Sequence, residues 1–96
     1  MQKIKEVDKV IVSRKMEFVH ADGKREKAFI KVGKPYELNK KLDWMCPYKI
    51  GTESQSKTFG MVGLDSLQAL ELTMKTLDTE IECWEKTNKG KFALLN

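Results

Sequence analysis

The sequence has few cysteines, one histidine and no long apolar run, and each scarcity excludes a class of function. Two cysteines, Cys46 and Cys83, are too few for a disulfide framework or for a zinc site, which needs four ligands at short paired spacings. A single histidine, His20, leaves little material for a nucleophile–base pair. No apolar run reaches the roughly 18–20 residues that span a bilayer, and the N-terminus lacks the apolar block of a signal peptide. We therefore expect a cytoplasmic protein with no metal, no cofactor, no membrane segment and no catalytic residues.

Length and composition predict one small domain. The 96 residues fall well below the roughly 250–300 at which chains divide into several domains, so residues 1–96 form a single unit. A hydrophobic content of 41% is enough for a small core. A domain of this size buries only a modest share of its surface, and such domains are often stabilised by a partner or by self-association.

Charge is distributed unevenly along the chain. Residues 1–57 hold fourteen Lys or Arg against eight Asp or Glu, whereas residues 58–96 hold four against six. Basic residues lie along the second predicted strand and at both of its ends. Such a basic strip either contacts a polyanion or keeps an exposed strand soluble. Its candidate polyanion contacts are Lys24, Arg25, Lys27, Lys31 and Lys34.

Alternating apolar residues predict four strands, at about residues 7–19, 25–32, 43–50 and 56–62. Asp22 and Gly23 separate the first two strands, and this pair favours a tight type I′ hairpin because both residues can take positive φ. Residues 36–42 are polar, and we expect a loop there. Pro47 cannot donate to a ladder, so the third strand is expected at an edge, with a bulge, or with that position facing away. Residues 91–95 are apolar enough for a short fifth strand.

One long amphipathic helix is predicted for about residues 66–86. Its core stripe recurs at intervals of three and four residues and consists of Leu67, Leu70, Met74, Leu77, Ile81 and Trp84. Asp65 is a preferred N-cap, and Gln68 would complete an Asp-x-x-Gln capping box. Asn88 and Gly90 are the expected stop residues. An antiparallel meander covered on one face by this helix is a two-layer α+β domain.

The other face of the predicted sheet carries apolar residues that would be open to water, namely Ile11, Val19 and Phe29. Such a face predicts a protein partner or a homodimer. We therefore expect a non-catalytic protein-binding or assembly module. The alternative is a nucleic-acid-binding module that uses the basic strip around residues 24–41, although few aromatic residues accompany it.

The segment GLDSLQALEL, residues 63–72, suggests a remote alternative. Asp65-Ser66-Leu67 resembles the attachment site of acyl and peptidyl carrier proteins, in which the serine opens a helix and carries phosphopantetheine. Carrier domains are helical bundles and are usually strongly acidic. Because this chain is basic and has predicted strands before the motif, a helix cap explains the segment better than a carrier serine at Ser66.

A wider resemblance rests on two motifs. The first is Trp44-x-Cys46-Pro47-Tyr48-x-Ile50-Gly51, and the second is Gly63-x-Asp65-Ser66-Leu67-Gln68-Ala69-Leu70. Gly33-Lys34-Pro35 also follows the predicted hairpin, as it does in that family. In these features the chain resembles a family of small bacterial proteins of unknown function, over residues 10–84. The resemblance supports the predicted fold and assigns no catalytic, cofactor or binding residue.

Overall fold

The computed structural model of the protein describes residues 9–38 and 43–95, which form one antiparallel sheet and one helix. The strands are β1 (Val10–His20), β2 (Arg25–Gly33), β3 (Tyr36–Glu37), β4 (Trp44–Thr52), β5 (Ser56–Gly63) and β6 (Gly90–Leu94), and the helix is α1 (Ser66–Asn88). The predicted α+β class is confirmed, but the sheet has six strands rather than four or five. Residues 7 and 8 of the first predicted strand and residues 39–42 of the predicted loop lie outside the described residues.

The sheet is a meander that is extended at one edge by the C-terminal strand. β1 pairs with β2, β2 with β4, and β4 with β5, always antiparallel. The two-residue β3 pairs with the start of β4, so it continues the line of β2 after a short break. After α1 the chain returns to the far side of β1, where β6 pairs with residues 16–20. The order across the sheet is therefore β5, β4, β2, β1, β6.

The turn between β1 and β2 differs from the predicted type I′ hairpin. Gly23 has φ +92°, but Asp22 does not take positive φ. His20 accepts from the Gly23 N–H and donates its own N–H to Lys24, so three residues connect the strands rather than two. The Asp22 side chain instead accepts a hydrogen bond from the Lys24 N–H at 2.9 Å. This is the three-residue hairpin in which glycine alone supplies the positive φ.

Pro47 lies in an interior strand rather than at an edge, because β5 pairs with one side of β4 and β2 with the other. The ladder with β2 ends at the Tyr48 pair, and the ladder with β3 begins at the Met45 pair. Pro47 therefore occupies the gap between the two ladders, where its missing N–H costs no strand hydrogen bond.

The helix begins and ends with defined caps. The Asp65 carboxylate accepts from the Gln68 N–H at 2.7 Å, and the Gln68 side chain accepts from the Leu64 N–H at 2.7 Å. Gln68 thus reaches back one residue beyond the N-cap rather than to the cap itself. At the other end Lys89, and neither Asn88 nor Gly90, takes the left-handed conformation with φ 50°.

α1 is not apolar enough along its length to cross a membrane.

The predicted core stripe of α1 is partly wrong. Leu77 and Trp84 are buried and Leu70 and Ile81 pack against the core, but Leu67 is 63% exposed and Met74 is 50% exposed. The buried residues of the N-terminal half are instead small ones, Ala69 and Thr73.

Close packing of the helix on the sheet explains why small residues of α1, rather than Leu67 and Met74, face the core. The Thr73 hydroxyl donates to the Cys46 carbonyl at 3.3 Å, and a Cβ on Gly63 would lie 2.4 Å from the Ala69 nitrogen. A helix that approaches the sheet this closely must present small side chains, so the longer Leu67 and Met74 lie on its flanks.

Candidate partner-binding edge and groove

The outer edge of β1 is paired along only part of its length. β6 pairs with Met16 through His20, whereas residues 10–15 have β2 on one side and, among the residues that the structure describes, no strand on the other. We call the unpaired outer side of residues 10–15 the open edge. A strand edge of this kind presents free backbone N–H and C=O groups that can pair with another chain.

Hydrogen bonds at the hairpin show which backbone groups point outward. The His20 N–H donates to Lys24 on the β2 side, and the Ala21 N–H donates to Lys89 on the β6 side. Because these groups alternate along a strand, the odd-numbered residues from Ala21 back to Ser13 point toward the β6 side. Ser13 lies beyond the last β6 pair, Met16 with Leu94, so its N–H and C=O face the open edge.

An apolar groove of about 250 Å³ adjoins the open edge on the helix side of the sheet. Its apolar walls come from β1, β2 and α1 and consist of Val12, Ile30, Val32, Met74, Leu77 and Ile81. Ser13, Arg14 and Asp78 complete the lining. Val12 is 51% exposed and Met74 is 50% exposed, so an apolar side chain on each wall of the groove remains in contact with water.

The groove exists because α1 lies nearer to one side of the sheet. α1 packs mainly on β4 and β5, at the opposite side of the sheet from β6. Within residues 9–38 and 43–95, the first half of β1 therefore has neither a strand on its outer side nor the helix directly above it. Sequence periodicity predicted Met74 as core and did not single out Val12, since an alternating pattern does not reveal how far a helix reaches across a sheet.

The predicted partner residues do not form a continuous apolar face. Val19 and Phe29 are half-buried on the sheet face opposite α1, which we call the open face, while Ile11 lies at a β-bulge and is 45% exposed. Phe29 pairs with Lys15 on β1, and the ammonium of Lys31 lies 5.0 Å from its ring centroid. The open face is therefore basic around Phe29 rather than continuously apolar.

The predicted basic strip divides between several places. Arg25, Lys27 and Lys31 alternate along β2 on the open face, whereas Lys24 lies in the hairpin turn and Lys34 lies after β2. The structure thus brings part of the basic strip together with Phe29, one of the predicted partner residues. Arg25 also lies 3.7 Å from the Glu17 carboxylate.

A polar cluster at the hairpin end contains the only histidine. His20 Nε2 lies 2.5 Å from Glu26 Oε2, and the Ser54 hydroxyl donates to Glu26 Oε1 at 2.9 Å. The His20 hydrogen bond, opposed in part by desolvation and supported by the Ser54 bonds, lowers the pKa of Glu26 from 4.5 to about 2. The serine bonds to the carboxylate and not to the imidazole, so this is not the serine–histidine order of a nucleophile and its base.

The two cysteines are free thiols in different environments. Cys46 is fully buried, and burial raises the pKa of its thiol, while Cys83 is exposed on α1. A buried thiol with a raised pKa is a poor nucleophile, because the thiolate is the reactive form. Residues 9–38 and 43–95 contain no group of three or more His, Cys, Asp or Glu side chains that could hold a metal ion.

A second polar cluster attaches α1 to β5. Lys57 Nζ lies 3.1 Å from Glu80 Oε2 and 5.8 Å from the centroid of the Trp84 ring. Burial, and secondarily the charge of Glu80, raises the pKa of Tyr48 to about 12. Because Lys57 and Glu80 form an ion pair across the interface of sheet and helix, we assign this cluster to packing.

Ser66, the remote carrier candidate, is the exposed first residue of α1. It follows a β-strand, and the described residues contain one helix rather than a bundle. The local fold therefore departs from that of the carrier proteins which the motif resembles.

Comparison with known proteins identifies a family without identifying a function. A family model described as a domain of unknown function, DUF6968, matches residues 12–96. No curated protein and no solved structure matches the chain. The matched region includes most of β1 and all of α1, so it contains residues 12–15 of the open edge and the whole groove. The chain therefore belongs to the DUF6968 family.

Proposed function

We propose that this protein is a non-catalytic module that binds another protein through the open edge of β1 and the apolar groove beside it. One observation carries the proposal: the unpaired part of β1 carries exposed apolar side chains, Val10, Ile11 and Val12, and adjoins an apolar groove. An added strand would pair with the backbone and also fill the groove. Peptide recognition by strand addition combines these two sources of affinity and specificity.

The chemistry of the polar groups supports a non-catalytic role. Glu26 is held as a carboxylate with a pKa of about 2, so it is a poor proton acceptor near neutral pH. Its neighbours His20 and Ser54 both donate to it and are not arranged to activate each other. Cys46 is buried beneath the helix.

Two matched substitutions on α1 test the proposal. Met74→Glu places a charge in the groove, and Leu67→Glu places the same charge at another exposed apolar position of α1 outside it. We expect Met74→Glu to abolish capture of a protein partner, while Leu67→Glu retains it. Both variants should melt within a few degrees of the wild type, because substitutions at exposed sites usually change stability by about 0.5 kcal/mol or less. Equal capture by both variants would contradict the proposal.

A nucleic-acid-binding module is the second candidate, and the open face is the observation that favours it. Lys27 and Lys31 flank Phe29 on β2, with Lys15 on the adjacent strand. Basic side chains around an accessible aromatic ring suit a single-stranded nucleic acid, and the Phe29 ring is half-buried. The expected signature is an affinity for an oligonucleotide that falls steeply with salt and weakens in Lys31→Glu. Salt-insensitive or absent binding would remove this candidate.

A further inference from the structure

We infer that the segment which binds the open edge is an extended strand with apolar residues at alternate positions and acidic residues between them. This inference rests on the proposed function and specifies the chemistry of the partner. It follows from what lies on each side of the sheet at the open edge, because successive side chains of an added strand point to opposite faces.

On the helix side, an added strand would place its side chains in the groove. Its neighbours there on β1 are Val12 and Arg14, and beyond Val12 lie Met74, Leu77 and Ile81. Apolar side chains at every second position would cover Val12 and Met74, which are now half exposed. A charged side chain at these positions would lose its hydration without a compensating partner along most of the groove.

On the open face, the same strand would meet basic residues. Ser13 pairs with Lys31 of β2, and Lys15 lies two residues further along β1. Because the Ser13 side chain is short, an acidic side chain opposite it can reach over Ser13 toward Lys31 and diagonally toward Lys15. Cross-strand pairs of opposite charge stabilise a sheet, and like charges placed directly opposite destabilise it.

The charge of β1 itself argues against a second copy of the chain as the occupant. Residues 9–16, KVIVSRKM, contain Lys9, Arg14 and Lys15 and no acidic residue. Pairing two copies of this segment would bring three positive charges against three. Lysine on an exposed strand edge is a known means of preventing self-pairing. A partner strand that carries glutamate or aspartate has no such repulsion.

The inference can be tested with three labelled peptides and the intact protein. The first alternates glutamate and valine, EVEVEVE; the second alternates lysine and valine, KVKVKVK; the third has the composition of the first without alternation, EEEEVVV. Fluorescence anisotropy at low ionic strength measures binding. We expect EVEVEVE to bind at least about tenfold more tightly than either control peptide, a difference of about 1.4 kcal/mol.

Two variants at one residue separate strand addition from simple charge attraction. Ser13→Pro removes the outward N–H at an edge position where proline is tolerated, and Ser13→Ala keeps it. We expect Ser13→Pro to weaken binding of EVEVEVE about tenfold and Ser13→Ala to leave it unchanged. Circular dichroism of both variants checks that the fold is retained. If Ser13→Pro unfolds the protein, backbone amide shifts of Ser13 on addition of EVEVEVE to the wild type provide the same information.

The outcomes distinguish the inference from the function on which it rests. If KVKVKVK binds more tightly than EVEVEVE, or EEEEVVV binds as tightly as EVEVEVE, the inference of an acidic alternating strand is overturned. The groove would still be a protein-binding site if Met74→Glu abolished the binding of those peptides. A concentration-dependent dimer that Ser13→Pro dissociates would make a second copy the occupant and would also overturn the inference. If no peptide binds and Met74→Glu has no effect on partner capture, the proposed function fails as well.

Discussion

The two halves of β1 both place apolar side chains on the helix side of the sheet, but in very different environments. In the second half Met16 is 2% exposed and Phe18 is fully buried, whereas in the first half Val12 is 51% exposed. The change in burial occurs at Met16, which is the last residue of β1 that pairs with β6. Alternation therefore specifies which side of the sheet a residue faces, and the neighbouring strand and helix determine whether water is excluded from it.

The C-terminal strand is what completes the second half of β1. The Phe92 ring contacts the Phe18 ring edge-on, with centroids 5.0 Å apart. Gly90 permits this approach, because a Cβ there would lie 2.5 Å from the Val19 carbonyl oxygen and 2.6 Å from the Phe18 ring. The Phe92 N–H, on the outer side of β6, donates to the Glu85 carboxylate at 2.9 Å, so α1 supplies a hydrogen-bond partner for this outer edge of β6. The first half of β1 has none of these contacts.

The largest effect is expected in the completed half. Phe18→Ala removes a fully buried ring that packs against Phe92. It should lower the free energy of unfolding by about 3–5 kcal/mol, which is much of the total stability of a small domain. Urea denaturation followed by circular dichroism measures the loss. A loss below about 1 kcal/mol would mean that β6 does not complete the core at this position.

A smaller, pH-dependent effect is expected at the hairpin end of the same half. The hydrogen bond from His20 lowers the pKa of Glu26 to about 2, below its usual 4.5, so the carboxylate stabilises the fold above pH 4.5. That contribution should disappear as the pH falls from 4.5 toward 2. Glu26→Gln should lose roughly 1–2 kcal/mol at pH 7 and show a flatter dependence of stability on pH in this range.

Glu17 provides the control for this effect. Its carboxylate faces Arg25 at 3.7 Å across an exposed pair, so Glu17→Gln should change stability by less than about 1 kcal/mol. Denaturation curves of both variants and of the wild type between pH 2 and 7 make the comparison. Parallel pH profiles for Glu26→Gln and the wild type would show that the His20–Glu26 bond does not stabilise the fold.

The smallest effect is expected in the incomplete half. Val12→Ala trims a side chain that is already half exposed, so stability should fall by less than about 1 kcal/mol. The same substitution should weaken partner binding, because Val12 is the apolar groove residue that lies on the open edge itself. Thermal denaturation and binding measurements on one preparation test both statements. A stability loss as large as that of Phe18→Ala would remove the distinction between the two halves.

Local features of the sequence predicted much of the fold. The hairpin, the helix and its Asp65 cap follow from short-range patterns, and the structure has each of them. The position of Pro47, in the gap between the ladder with β2 and the ladder with β3, does not follow from such patterns. It depends on where those two ladders end. The two-residue β3 is likewise too short to produce an alternation.

The candidate site could be predicted less well than the fold. Met74 has the spacing of a core residue, and its exposure results from the close packing of Ala69 and Thr73 on the sheet. Phe29 was predicted to lie on an apolar partner face, but Lys31, two residues along the same strand, shares that face, and strand pairing adds Lys15. The exposure of Met74 and the contact with Lys15 depend on the position of one element relative to another, which a single-sequence pattern does not contain.

Amide hydrogen exchange at Ser13 and Val19 is the most direct test of the central claim that the first half of β1 is an unpaired edge which binds a partner strand. Both N–H groups point to the β6 side of β1, but in the part of the chain that the structure describes only Val19 has a strand partner there, Lys91. In the free protein Ser13 should exchange quickly and Val19 slowly, and saturating EVEVEVE should slow Ser13 at least about tenfold while leaving Val19 unchanged. Ser13 exchange as slow as that of Val19 in the free protein, or unchanged with the peptide bound, would contradict the claim.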